Sequence, residues 1–236
     1  MTNMSNHLGQ PQTPIQERLM HTLAQLPSHV KLVAVSKFHP AEDITEAYAT
    51  GWRSYGESRA QELVAKHDIL PSDIEWHFIG HLQPNKVKYI APFVTLIHAV
   101  DSLRLLAEIN KQARRCDRII PCLLQLHVAR EETKFGFTPA ECQAMLESGE
   151  WREFHHVQIS GLMCMASNTT DRDRIRSDFR TAYDFYKSAK SQFFSESPEF
   201  CQRSWGMSGD YDIAIEEGST IVRIGTQIFG ERHYEE

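Results

Sequence analysis

A lysine that closes an apolar run is the first candidate for chemistry. Lys37 follows Leu32-Val33-Ala34-Val35, a run able to fill the interior of a parallel sheet or barrel. An ammonium at the end of such a strand sits near a low-dielectric mouth. Desolvation there favours the neutral amine, which is the form that attacks an aldehyde carbon. The competing role is a strand-end lysine that snorkels to water. Two later segments join backbone freedom to hydroxyl groups. In Gly206-Met207-Ser208-Gly209-Asp210, Ser208 is placed to cap the next helix while its hydroxyl and nearby amides face an anion. In Arg223-Ile224-Gly225-Thr226, Gly225 permits close backbone approach and Thr226 supplies a hydroxyl at the start of a short turn. Either segment alone reads equally as a capped helix or a tight turn. Their coincidence with Lys37 points to a phosphorylated aldehyde as the ligand.

The elements that must position these groups follow from the hydrophobic pattern. Eight short apolar runs read as strands: Val30–Ser36, Trp52–Gly56, Glu75–Gly80, Thr95–Val100, Ile119–Val128, Val157–Met165, Arg203–Met207 and Thr220–Gly225. Helical patterns alternate with them, which implies parallel pairing and right-handed crossovers. Thr13-Pro14-Ile15-Gln16 and Thr138-Pro139-Ala140-Glu141 each put Thr at the N-cap, Pro at the first helical position and Gln or Glu at the third. Pro40 opens the helix after the first strand. The longest helix is expected from Asp171 to Phe193, and Gly218 ends a helix begun near Ser208. Eight β-then-α units in 236 residues predict an α/β fold, a single (β/α)8 barrel of the TIM type, with the Thr13 helix as an N-terminal addition. The rival is a doubly wound open sheet. Such a sheet usually has a glycine-rich first loop, whereas Ser36-Lys37-Phe38-His39-Pro40 has no glycine. In a barrel, Lys37, Ser208 and Thr226 all fall at the carboxyl ends of strands, where barrels place their sites.

Composition narrows the classes. The net charge is −6 with no Lys/Arg block, so nucleic-acid recognition has little support. No apolar run approaches the roughly 20 residues of a membrane helix. Residues 1–12 are polar and Gln/Pro-rich and are expected to be a disordered tail, leaving residues 13–236 as the barrel domain. The five cysteines are odd in number and form no C-x-x-C, which argues for reduced thiols and a cytoplasmic setting. Among the 12 histidines, His77 and His81 are four apart. They lack the zincin Glu and fall on a strand, so ordinary structural roles are expected and no metal.

At these residues the chain resembles the pyridoxal phosphate (PLP) homeostasis protein family, also called the proline synthetase co-transcribed homologue family. The matching motifs run from about Val30 to Arg232. They are Val33-Ala34-Val35-Ser36-Lys37, Tyr55-Gly56-Glu57, the block from Trp76 to Lys86, Lys134-x-Gly136, Gly161-Leu162-Met163, Gly206-Met207-Ser208-x-Asp210, Gly218-Ser219-Thr220-x-Val222-Arg223-Ile224-Gly225, and Ile228-Phe229-Gly230-x-Arg232. The resemblance implies a barrel like that of alanine racemase, with PLP as a Schiff base on Lys37. It implies phosphate contacts from Ser208, Gly225 and Thr226, Arg223 close to the cofactor, and Met207 and Ser58 among the cofactor-side residues. Family members are regarded as carriers or regulators of PLP that keep vitamin B6 and amino-acid pools balanced, without an established reaction. Two departures stand out. Ser58 replaces the Asn usual after Gly-Glu and lacks the two donors of an amide, so a cofactor-side contact is lost or passes to water. The stretch Met163-Cys164-Met165-Ala166-Ser167 lacks the proline common there.

Three functions are open to such a chain: a PLP homeostasis protein, a PLP enzyme such as an amino-acid racemase, or a barrel that holds another phosphorylated metabolite non-covalently. Racemisation needs a base on each face of the substrate. Lys37 supplies one, and the racemases this barrel resembles draw the second, a tyrosine, from an additional β domain. With the last strand so near Glu236, that domain is expected to be absent, leaving Tyr55 or Tyr211 as weak substitutes. An arginine against the pyridine nitrogen would keep that nitrogen unprotonated, because guanidinium does not give up its proton, and would weaken the ring as an electron sink. The homeostasis role is therefore favoured. Apo PLP-dependent enzymes are candidate recipients, and a monomer is expected.

Overall fold

The computed structural model describes residues 11–131 and 135–231. Most of the expected tail, Lys134 of the Lys134-x-Gly136 motif, and Arg232 lie outside the described residues. Eight strands close into a barrel in sequential order, every neighbouring pair parallel. They are β1 (Lys31–Val35), β2 (Ser54–Glu57), β3 (Glu75–Phe78), β4 (Leu96–Val100), β5 (Ile120–Leu126), β6 (Val157–Cys164), β7 (Gln202–Met207) and β8 (Ile221–Ile224). All eight expected strands are present, mostly shortened by a residue or two at the ends, and the open-sheet rival is excluded by closure.

Helix α1 (Pro14–Gln25) precedes the barrel; α2 (Ala41–Tyr48), α3 (Ala60–His67), α4 (Val87–Ile90), α5 (Leu103–Arg115), α6 (Pro139–Ser148), α7 (Arg172–Phe193), α8 (Tyr211–Glu216) and α9 (Thr226–Phe229) follow the strands. The caps form as their sequences dictate. Thr13 accepts from the Gln16 amide, and Thr138 and Glu141 complete a reciprocal capping box. Asp171 caps α7 through the amides of Asp173 and Arg174. Gly218, at φ +86°, closes α8: its amide donates to Ile215, and the Ser219 amide donates to Ala214. Pro40 stands at the N-cap of α2 rather than inside it. Arg18 of α1 donates from Nε to the Ile228 carbonyl at 2.7 Å, which ties α1 to α9. Among the described residues no helix is long and apolar enough to cross a membrane.

Strand alternation splits the buried side chains into two bodies. One lies between strands and helices and includes Leu32, Tyr55, Trp76, Phe78, Ile97, Leu124 and Trp205. The other fills the barrel: Val33, Leu96, Ala99, Leu123, Met163 and Ile221. The interior also carries polar groups. At its amino-terminal end Glu75 accepts from Lys31 and Ser54, each at 2.6 Å. Higher up lie His77, His98, Ser204 and Arg223, all buried.

Candidate functional site at the barrel mouth

Lys37 is half-buried, two residues past the last residue of β1. Its turn is strained, since Phe38 has φ +67°. A bulky residue enters that left-handed region only under constraint, at about 1–3 kcal/mol. The constraint comes from β2 and α3. The Phe38 amide donates to Glu62 Oε1 at 2.7 Å. Lys66 Nζ donates to the Ser36 carbonyl at 2.8 Å, to Glu57 Oε1 at 2.7 Å and to Glu62 Oε1 at 2.8 Å. Ser36 Oγ donates to Glu57 Oε1 at 2.7 Å. Glu57 is fully buried, and burial pushes its carboxyl up to about 7 against the pull of Lys66.

The two hydroxyl-bearing loops lie on the same arc of the rim. In the β1–β8 pair Ala34 stands opposite Ile224, so Val35 and Gly225 are neighbours. A Cβ on Gly225 would come within 2.9 Å of the Val35 carbonyl oxygen, which is why this position takes glycine. Thr226 is exposed and opens α9. In the β7–β8 pair Met207 stands opposite Arg223, and Gln227 Nε2 donates to the Ser208 carbonyl at 3.1 Å. The Lys37 turn, the Gly225-Thr226 turn and the Ser208 loop therefore follow one another around the mouth.

Ser208 does not cap α8. Asp210 is the residue before the helix, and its Oδ1 accepts from the Met207 amide at 2.6 Å while its own amide donates back to the Met207 carbonyl at 3.1 Å. The carboxylate closes the loop on itself, so α8 begins at Tyr211 and the half-buried Ser208 hydroxyl is not spent on a cap. Met207 has its amide committed and its side chain 39% exposed.

Arg223 lies within β8, as in the expected strand, two residues below Gly225 and on the same strand face. Its Nη1 donates to the carbonyl and hydroxyl oxygens of Ser204, each at 2.6 Å, and its Nη2 to the Cys164 carbonyl at 3.1 Å. The line continues inward. Ser204 Oγ meets His98 Nδ1 at 2.8 Å, and His98 Nε2 meets His77 Nδ1 at 2.9 Å. Burial holds His77 down to about 3 and His98 well below the usual imidazole range, so both rings are neutral. His81, the other half of the i,i+4 histidine pair, lies apart, with Nδ1 2.9 Å from Asp101 Oδ2.

Ser58 is the first residue after β2, the strand whose Gly56 pairs with Val35 of β1. Gly80 crosses it so closely that a Cβ there would fall 2.3 Å from the Ser58 carbonyl oxygen. Ser58 also lines a cleft of about 180 Å³ with Arg59, His81 and Lys86. Sequence reasoning assigned His77 an ordinary structural role, and Glu62, Lys66, Ser204 and His98 none. Nothing in the i,i+4 spacing of Glu62 and Lys66 ties them to residues 36–38.

A closed barrel with a lysine past its first strand and hydroxyl-bearing turns after its last two defines a class. The family model described as "Alanine racemase, N-terminal domain" matches residues 15–233. A solved alanine racemase from Clostridium difficile shares the fold, with a TM-score of 0.72 at 15% identity, over 94% of this chain and 57% of that one. Within the class, the pyridoxal phosphate homeostasis protein of Aquifex aeolicus is 40% identical over 205 residues, covering 86% of this chain and 88% of that protein. The structure of PipY from Synechococcus elongatus with PLP bound is 37% identical, with a TM-score of 0.82, over 92% of this chain and all (100%) of that one. The chain belongs to the pyridoxal phosphate homeostasis protein family.

Proposed function

We propose that this chain binds PLP at the carboxyl end of its barrel, joined to Lys37 as a Schiff base, and serves intracellular PLP homeostasis as a carrier or regulator without robust catalysis. The observation that carries this reading is the arrangement of Lys37, Gly225-Thr226 and Ser208 in the turns that follow the neighbouring strands β1, β8 and β7. The donor set fits the group. A primary amine for the aldehyde stands beside a glycine turn that excludes a Cβ and two hydroxyls for the phosphate. Arg223 lies in the layer below Gly225 on β8. When bound, PLP supplies an aldehyde carbon that condenses with amines and a ring that accepts electrons. The PLP bound in PipY and the names of the curated relatives support the same reading.

The chain's own residues disfavour racemisation. Tyr55 is fully buried in the layer between strands and helices, and burial raises its hydroxyl far above the usual range, so it is no base at the mouth. The Tyr211 hydroxyl donates to Gln25 Oε1 at 3.2 Å, on the α1 side. Arg223 stays cationic, its three hydrogen bonds fixing the charge below the mouth. Incubation with alanine in deuterated buffer tests the proposal. Loading with PLP and its transfer to an apo-enzyme, without Cα–deuterium exchange above a free-PLP control, is the expected result. Turnover with exchange that disappears in Lys37→Ala would make the protein an enzyme.

A further inference from the structure

The peptide groups on either side of Lys37 are gripped by one ion pair. Before it, the Ser36 carbonyl accepts from Lys66 Nζ at 2.8 Å; after it, the Phe38 amide donates to Glu62 Oε1 at 2.7 Å. The two grips are joined, because Lys66 and Glu62 are themselves bonded at 2.8 Å, one helical turn apart on α3. The ring of contacts spans Lys37. Its base is Glu57, whose Oε1 accepts from both Lys66 and Ser36. The Arg59 guanidinium lies 4.7 Å from the centroid of the Phe38 ring and holds that side chain from the other side. The left-handed φ of Phe38 marks where the strain is taken up. A surface ion pair has no need of such an arrangement: Lys66 is 6% exposed, and all three of its donors are directed at this turn and its two carboxylates.

We propose that Glu62 and Lys66 form a positioning clamp that sets the backbone turn of Lys37 and so aims its amine at the incoming aldehyde. The inference rests on the Schiff-base reading above and extends it to residues that touch no ligand. The reaction being positioned is addition of the neutral Lys37 nitrogen to the aldehyde carbon. The carbonyl oxygen leaves as water with both hydrogens of the amine, and a C=N bond remains. Misdirecting an attacking atom by a fraction of its approach distance is costly, so the clamp acts on the rate and extent of covalent capture. It has no reason to act on ring or phosphate recognition.

The experiment compares covalent capture with non-covalent binding in the full chain. Capture is read as growth of the near-visible band and of borohydride-trapped adduct on the Lys37 peptide. Binding is read with pyridoxamine 5′-phosphate, which has the ring and phosphate but no aldehyde. Glu62→Ala is expected to slow capture about tenfold to a hundredfold and leave pyridoxamine phosphate affinity unchanged. Glu62→Gln, which keeps an acceptor for the Phe38 amide, is expected to recover much of the rate. Lys66→Met combined with Glu57→Gln, so that no buried carboxylate is left bare, should slow capture like Glu62→Ala. Capture at the parent rate in Glu62→Ala and in the double variant would overturn the clamp, as would a parallel loss of pyridoxamine phosphate affinity. If the parent chain gives no adduct on Lys37, the Schiff-base reading itself fails, an outcome distinct from a parent that captures and variants that capture equally well.

Discussion

Arg223 of β8 donates from a single nitrogen to both the carbonyl and the hydroxyl oxygen of Ser204 on β7, each at 2.6 Å, inside the barrel and out of reach of bulk water. The hydroxyl is an acceptor for a buried charge, so its loss is not compensated by solvent. Ser204→Ala is expected to lower folding stability by about 1.5–3 kcal/mol, measured by denaturant unfolding of the apo-protein. A change within experimental error would mean that the carbonyl and the Cys164 oxygen suffice to hold the guanidinium.

The Ser208 hydroxyl is assigned to phosphate. Ser208→Ala removes one hydrogen bond to a charged group, typically about 1.5–3 kcal/mol, or roughly tenfold to a hundredfold in affinity. The expected signature is selective: PLP binding weakens by that factor and binding of pyridoxal, which has no phosphate, is little affected. Equal weakening of both ligands would move the phosphate away from this loop.

The barrel was legible in the sequence because short, mostly apolar runs such as those of β1, β4 and β5 alternate with helical patterns, and Thr-Pro caps marked helix starts at Thr13 and Thr138. Lys37, Ser208, Gly225 and Thr226 were legible as candidates because an amine, a glycine turn and hydroxyls carry their chemistry in their residue type. Two things were not. The expected Ser208 cap gave way to Asp210, whose carboxylate accepts from the Met207 amide and closes the turn on itself before α8 begins at Tyr211. The networks behind the site, Ser36–Glu57–Lys66–Glu62 and Arg223–Ser204–His98–His77, join residues from different strands and helices, and local spacing carries no sign of such contacts.

The paired core histidines give a pH dependence with a definite sign. Burial depresses both, His77 from an ordinary 6.5 to about 3. The unfolded chain takes up protons on these rings as pH falls below about 6.5, and the folded chain does not. Their contribution is therefore complete above about 6.5 and is lost as pH falls towards 3. Glu57 acts in the opposite sense: with its folded value raised to about 7, the stability it confers at low pH is lost between about 4.5 and 7. The double variant His77→Gln, His98→Gln is expected to be less stable at neutral pH yet to lose less on acidification. Melting curves between pH 4 and 7 check this, and a slope as steep as the parent's would place the acid sensitivity elsewhere.

Lys37 is the amine proposed to hold the cofactor. The direct measurement is borohydride reduction of the PLP-loaded protein followed by proteolysis and peptide mass analysis. The predicted result is one phosphopyridoxyl group on the peptide carrying Lys37, with the near-visible band abolished in Lys37→Ala. A reduced adduct on Lys66, Lys86 or Lys134, or a PLP-loaded protein that yields no adduct at all, would contradict it.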